Sequence, residues 1–229
     1  MPKTLKKGVA LLLCAAFLFL LAPQAMAAPL IVYKRASAEG KKRIALTFDD
    51  GPHPRYTPQI LDILKKYGVK ATFFAVGENA ETYPALMERM VAEGHEIGNH
   101  TYNHYHTPKM DNQTLRQDIL ACDEALVRLT GKEVRLFRPP EGVCNDEICA
   151  VCEEKGYTIV MWSIDTRDWA HTPPQDMIEN VKKHATDGAI ILMHDFIGKN
   201  SKTPEALRGM IPMLQGLGYE FCTVGELLS

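Results

Sequence analysis

The stretch Arg43-Ile44-Ala45-Leu46-Thr47-Phe48-Asp49-Asp50-Gly51-Pro52 sets the terms for the rest of the chain. Residues 44–48 are almost wholly apolar, and a run this short reads as a strand covered on both faces, as in a parallel sheet. It ends in two carboxylates and a Gly-Pro turn signal. Neighbouring side chains on a strand point apart, but the turn lets Asp49 and Asp50 converge on one cavity with different tasks. Paired carboxylates at a buried strand end are costly unless a cation or hydrogen bonds compensate them. Taken alone, the motif is as well explained by a turn with a solvated or capping aspartate.

Working outward, short apolar runs alternate with amphipathic stretches. Strands are expected at residues 44–48, 71–76, 96–98, 134–137, 158–162, 189–193 and 220–224. Helices are expected at residues 58–67, 83–93, 112–129, 146–155, 175–184 and 204–214. About seven β-α units at this spacing argue for a parallel sheet in a single domain. A closed barrel and a doubly wound open sheet both fit. In either, polar residues just past the strand C-termini line the ligand face.

Residues 1–27 read as an export signal. Lys3, Lys6 and Lys7 precede an apolar run over residues 9–22, and Ala25-Met26-Ala27 has the form of a cleavage site. The mature chain is then expected to be secreted and wall-associated, with no membrane insertion; an uncleaved signal would act instead as an N-terminal anchor. Residues 28–42 read as a linker and 43–229 as the domain. Residues 1–27 carry three lysines and no acid, so the remainder has 23 basic and 28 acidic residues, a formal charge of −5. Nucleic acid is not expected as a partner, because counterion release would contribute little.

Five cysteines follow residue 27, an odd number for an exported chain. Asn145 reads as a helix cap, which puts Cys149 and Cys152 inside the helix rather than at its N-terminus, where a reactive thiolate is stabilised. Small buried thiols are the preferred reading, and a disulfide from Cys144 into that helix stays open.

Four more strand ends carry polar groups. Asn99-His100-Thr101-Tyr102-Asn103-His104 places two imidazoles four residues apart, a metal-ligand spacing if the segment is helical. It lacks the glutamate of a zincin motif, so a third ligand and a base must come from elsewhere, and Asp49-Asp50 is the obvious supplier. Phe137-Arg138-Pro139-Pro140-Glu141-Gly142 sets an arginine before a rigid loop, suited to orienting a carboxylate. Trp162 to Trp169 mixes Asp165, Arg167 and Asp168 with aromatics, and Leu192-Met193-His194-Asp195 brings a histidine to the same rim. Each alone is better explained as an ion pair or a satisfied histidine; the set is hard to dismiss.

In order and content these motifs resemble the polysaccharide deacetylases (carbohydrate esterase family four, the NodB homology domain). Thr-Phe-Asp-Asp-Gly-Pro matches the first motif, His-Thr-x-x-His the second, Arg-x-Pro-x-Gly the third, Asp-x-x-Asp-Trp the fourth and Leu-x-His the fifth. The resemblance covers the chain from about Arg43 to its end. It implies a distorted (β/α) barrel and a divalent metal, zinc foremost, held by Asp50, His100 and His104. It further implies Asp49 as general base tuned by Arg138, and His194 as general acid supported by Asp168. Trp169 and Leu192 would shape the acetyl pocket, and the Pro140-Glu141 loop would offer a backbone N–H to the oxyanion. Where the family often carries an aromatic residue, this chain has Glu141, so its substrate preference is open.

The function implied is metal-dependent removal of N-acetyl groups from an extracellular amino-sugar polymer, peptidoglycan first. The rivals are a chitin or chito-oligosaccharide deacetylase, an acetyl xylan O-esterase, and, from another class, a catalytically silent glycan-binding protein. Retention of the reactive residues in all five motifs argues against the last.

Overall fold

The computed structural model describes residues 30–36 and 40–229; the expected export signal lies outside the described residues. Strand β2 (Arg43–Asp49) is the hub of an all-parallel sheet that curves as a distorted (β/α) barrel. It pairs along its length with β8 (Ala189–His194), in a register that sets Ile44 beside Ala189 and Asp49 beside His194. Over Thr47–Asp49 it also pairs with β3 (Thr72–Ala75), and over Arg43–Ala45 with β9 (Glu220–Cys222). From β3 the sheet continues through β4 (Glu96–Asn99), β5 (Leu136–Phe137), β6 (Thr158–Val160) and β1 (Ile31–Val32). On the other side β8 is followed by β7 (Ile164–Asp165).

Two of these nine strands are absent from the expected seven. Each has two residues, too short to leave a periodic signal, and β1 falls in the stretch read as linker. The helices are α1 (Thr57–Tyr67), α2 (Gly77–Thr82), α3 (Pro84–Ala92), α4 (Asn112–Thr130), α5 (Asp146–Lys155), α6 (Pro174–His184), α7 (Thr203–Gly216) and α8 (Val224–Leu228). Among the described residues no helix is long and apolar enough to cross a membrane.

Strand alternation divides the interior in two. Ile44, Leu46 and Phe48 of β2, with Ala189, Ile191 and Met193 of β8, face the helices and join the larger core. The intervening Ala45 and Ile190 join Val32, Phe74, Leu136 and Val160 in a smaller cluster inside the barrel. Phe48 is fully buried and stacks on Phe73 at 5.0 Å; truncating it to alanine should cost about 3–5 kcal/mol. The inward set on β2 continues upward as Ala45, Thr47, Asp49, and on β8 as Ile190, Leu192, His194. An apolar floor thus gives way to polar groups at the C-terminal rim, where Asp49 and His194 end side by side.

The helices that frame the rim have sequence-encoded ends. The Asn145 side chain accepts from the Ile148 N–H at 2.9 Å, and Gly156 closes α5 with a left-handed φ of 66°. Asp111 caps α4 through the Thr114 N–H at 2.9 Å, and Gly131 ends it in the same way. These two helices carry the loops that bring the histidines and Glu141 to the rim.

Candidate active site and metal centre

Asp49 and Asp50 point into one cavity because the chain turns sharply after β2. Asp50 has a left-handed φ of 75°, a conformation aspartate tolerates better than most residues. Its carbonyl accepts from Asn79 Nδ2 at 2.7 Å, and the Gly51 carbonyl accepts from the Val76 N–H at 2.9 Å. Gly51 is required by contact: a Cβ there would lie 2.1 Å from the Asp195 carboxylate packed beneath the turn. Asp195 is buried, accepts from the Thr57 hydroxyl at 2.5 Å, and is pushed by burial up to about 7.

The histidine segment differs from its expected form. Residues 100–106 are not helical; Thr101 and His104 have left-handed φ values of 66° and 52°. The loop is instead held by Asp118 of α4, whose carboxylate accepts from the Tyr102 and Asn103 N–H groups at 3.2 Å. The result still brings both imidazoles to Asp50. His100 Nε2 lies 3.3 Å and His104 Nε2 3.2 Å from Asp50 Oδ1. These three side chains are the cluster with metal-ligand geometry among the described residues, their donor atoms all within 4.8 Å of one another.

The chemistry of this set fits a cation. His100 Nδ1 sits 2.7 Å from the Arg138 carbonyl and must donate to it, so the neutral ring presents a lone pair at Nε2. Asp50 Oδ1 is then buried against the lone pair of a neutral His100, with no hydrogen bond to offset it. Either the imidazoles carry protons or a positive ion lies among the three. Burial would raise the Asp50 pKa, but hydrogen bonding to His100 and His104 and the charges of His100 and His194 hold it well below the usual carboxylate range.

Arg138 is wholly buried and held by four hydrogen bonds. Nη1 donates to Asp49 Oδ1 at 2.7 Å and to Thr47 Oγ1 at 2.8 Å, and Nε and Nη2 each donate at 3.0 Å, to the carbonyls of Val160 and Met161. It packs over the Phe74 ring at 4.2 Å. Burial lowers its pKa, against the raising effect of Asp49. The other oxygen of Asp49, Oδ2, is 3.8 Å from His100 Nε2, beside the candidate cation position.

At the end of the neighbouring strand β8, His194 is gripped twice by Asp168, which accepts its backbone N–H at 2.8 Å and faces its Nδ1 at 2.7 Å. The Thr203 hydroxyl donates to the same carboxylate at 2.6 Å. Burial alone would lower the His194 pKa; the Asp168 hydrogen bond and charge, with Asp49 and Asp50 behind, outweigh it and raise the imidazole to about 9. Nε2 is left as the nitrogen for the cavity.

That cavity, about 380 Å³, is lined by Asp49, Asp50, His100, His104, Trp169, Leu192 and His194 together with Pro139, Glu141, Gly142, Trp162 and Asp165. Arg138 and Asp168 stand behind the wall. Pro140, expected at the substrate, is buried, and its neighbours Pro139 and Glu141 form the lining instead. Trp169 is 51% exposed, while Leu192 is 4% exposed and forms the floor. Glu141 holds a left-handed φ of 57° and its carboxylate meets His106 Nδ1 at 2.8 Å. The turn bonds around it run from the Gly142 N–H to Pro139 and from the Val143 N–H to Pro140, and neither uses the Glu141 N–H. Sequence reasoning had passed over Asn79, Asp118 and Asp195. Their signal is weak, since each supports a loop from a helix or strand remote in sequence.

The family described as polysaccharide deacetylase matches residues 36–160. A peptidoglycan-N-acetylglucosamine deacetylase of Bacillus cereus is 44% identical over 190 residues, which cover 82% of this chain and 89% of that protein. A chitooligosaccharide deacetylase of Bradyrhizobium sp. is 33% identical over 213 residues, covering 87% and 97% respectively. Among solved structures, a peptidoglycan N-acetylglucosamine deacetylase in complex with 4-naphthalen-1-yl-N-oxidanyl-benzamide superposes with a TM-score of 0.82 at 37% identity, covering 86% of this chain and 92% of the other.

Proposed function

We propose that this chain, which belongs to the polysaccharide deacetylase family and is a polysaccharide N-deacetylase, acts outside the cell on peptidoglycan with a divalent cation, zinc first. The observation that carries the reading is the gathering of Asp50, His100 and His104 beside Asp49 and His194 in one cavity. Support for peptidoglycan comes from the activity of the Bacillus relative, and support for export from the charged and apolar pattern of residues 1–27. Chito-oligosaccharide is the second reading, favoured by the Bradyrhizobium relative.

Asp50, His100 and His104 would hold the cation, leaving coordination positions for ligands that are not protein, as a catalytic rather than a structural site requires. When bound, it supplies positive charge that acidifies water and polarises the acetyl carbonyl. Asp49, with Oδ1 fixed by Arg138, turns Oδ2 toward the cavity and accepts a proton from the attacking water. The Glu141 N–H, which the turn bonds around it leave unused, would donate to the oxyanion as the carbonyl becomes tetrahedral. His194, protonated at neutral pH through its bond to Asp168, delivers a proton from Nε2 to the leaving nitrogen. An amide needs that proton because an unprotonated amine leaves poorly. Base and acid thus end side by side on neighbouring strands, Asp49 closing β2 and His194 closing β8. Leu192 and Trp169 enclose the acetyl methyl between floor and rim.

Acetate release from peptidoglycan and from acetylated chito-oligosaccharides, with and without a chelator, tests the proposal. It expects release from peptidoglycan that the chelator stops and zinc restores. Release from neither glycan under any condition would favour a silent glycan-binding protein.

A further inference from the structure

Between the site and α5 lies a second group of reactive side chains. Cys144 and Cys149 place their Sγ atoms 3.5 Å apart, and both are partly exposed. Asn145 caps α5, so Cys144 is the residue before the cap and Cys149 the fourth residue of the helix. Those are the two positions at which an apolar pair ordinarily closes the start of a helix. Here the pair is two thiols, and closing their separation by about 1.5 Å reaches the ordinary S–S bond length.

We infer that Cys144 and Cys149 are a disulfide-forming pair, a covalent staple that ties the cavity-lining loop to the first turn of α5. Cys152, one turn further on, is fully buried in the main core, and Cys122 and Cys222 are buried elsewhere, so none competes for accessible oxidant. The loop has reason to be tied down. It runs from Arg138 through Glu141, whose left-handed backbone is an uncommon state for that residue, to Cys144 with few hydrogen bonds of its own. The face of α5 that receives it, Ile148, Val151 and Cys152, is anchored in the core.

The reaction needs a disulfide oxidant, such as a small-molecule disulfide. One protein thiolate attacks a sulfur of the oxidant, forming a mixed disulfide and releasing a thiolate that takes up the proton. The second protein thiolate then attacks the mixed disulfide at the protein sulfur and displaces the other half as a second thiol. Two protein thiols are oxidised and one disulfide is reduced to two thiols. Burial and the Cys149 contact push the Cys144 thiol up to about 12, so exchange is slow at neutral pH and faster in mild alkali.

The test uses the purified full chain, treated with glutathione disulfide in mild alkali, alkylated under native conditions and digested after glutamate without reduction. Cleavage after Glu147 separates Cys144 from Cys149, so a crosslink joins two peptides in the mass spectrum. The crosslink is expected in the native chain and in Cys152→Ser, and is expected to be lost in Cys149→Ser. Closing a six-residue ring should raise the thermal midpoint by roughly 4–8 °C, reversed by dithiothreitol. A crosslink that survives in Cys149→Ser, the absence of any crosslink in the native chain, or an unchanged midpoint on crosslinking would each overturn the inference. None of these readouts depends on deacetylase activity.

Discussion

Arg138 Nη1 lies 2.7 Å from Asp49 Oδ1 across the barrel interior, and neither residue is more than 3% exposed. The guanidinium spends three more donors on Thr47 and two backbone carbonyls, so it cannot turn away. Asp49 therefore has one oxygen committed and one free, which is the geometry a base needs if it is to act in a fixed direction.

Replacing Arg138 by methionine leaves a buried carboxylate with no counter-charge. The expected loss is about 3–5 kcal/mol in urea unfolding. Arg138→Lys should recover only part of it, because one ammonium cannot reach acceptors spread around a planar fork. A loss below 1 kcal/mol in the methionine variant would count against the pairing.

Asp49→Asn keeps the size of the side chain and removes the base. Turnover should fall by roughly 10²–10⁴, while bound metal, measured by elemental analysis, stays at the native level. A parallel loss of metal would make Asp49 a ligand instead.

Much of this arrangement was legible in the sequence, for reasons specific to particular residues. Helix α5 matched its expected bounds because Asn145 and Gly156 mark both ends. The strands that carry the site, β2 and β8, were apolar enough to stand out. Helix α8 escapes the sequence pattern although Thr223 and Glu226 form a capping box, because the apolar run at residues 220–224 reads as a strand that overlaps its cap and first residue. The segment from His100 to His104 brings both imidazoles to Asp50 but not as a helix: its shape depends on Asp118, and a helical spacing rule carries no information about a loop held from outside. Which oxygen of Asp49 faces the cavity could not be read from sequence at all, since that depends on Arg138 arriving from a distant strand.

His194, as the proposed acid, is expected to set the alkaline limit of activity. Its raised pKa keeps the acid form populated below about 9, and that form is lost as pH rises through the folded value. A bound cation lowers it by repulsion, so kcat/KM for an amide substrate should fall with an apparent pKa between 6.5 and about 9. Asp168→Asn removes the main raising contribution and should move that limb downward. His194→Ala should harm amide substrates more than activated esters, and equal losses would contradict its role as acid.

Glu141 is expected to bear on which sugars are preferred. Its carboxylate is half exposed on the cavity wall and shares its charge with His106. Glu141→Gln keeps the backbone N–H and removes the charge. Initial rates on fully acetylated oligosaccharides should change less than threefold, whereas any native preference for partly deacetylated, cationic ones should disappear. An unchanged ratio would show that the side chain is a bystander.

Metal titration of the intact chain decides whether Asp50, His100 and His104 share one divalent cation. The native chain should take up about one zinc ion per molecule with a single affinity, and the His100→Ala/His104→Ala double variant, checked for folding by circular dichroism, should take up almost none. A folded double variant that still binds zinc stoichiometrically at native affinity would contradict a cation shared by these three.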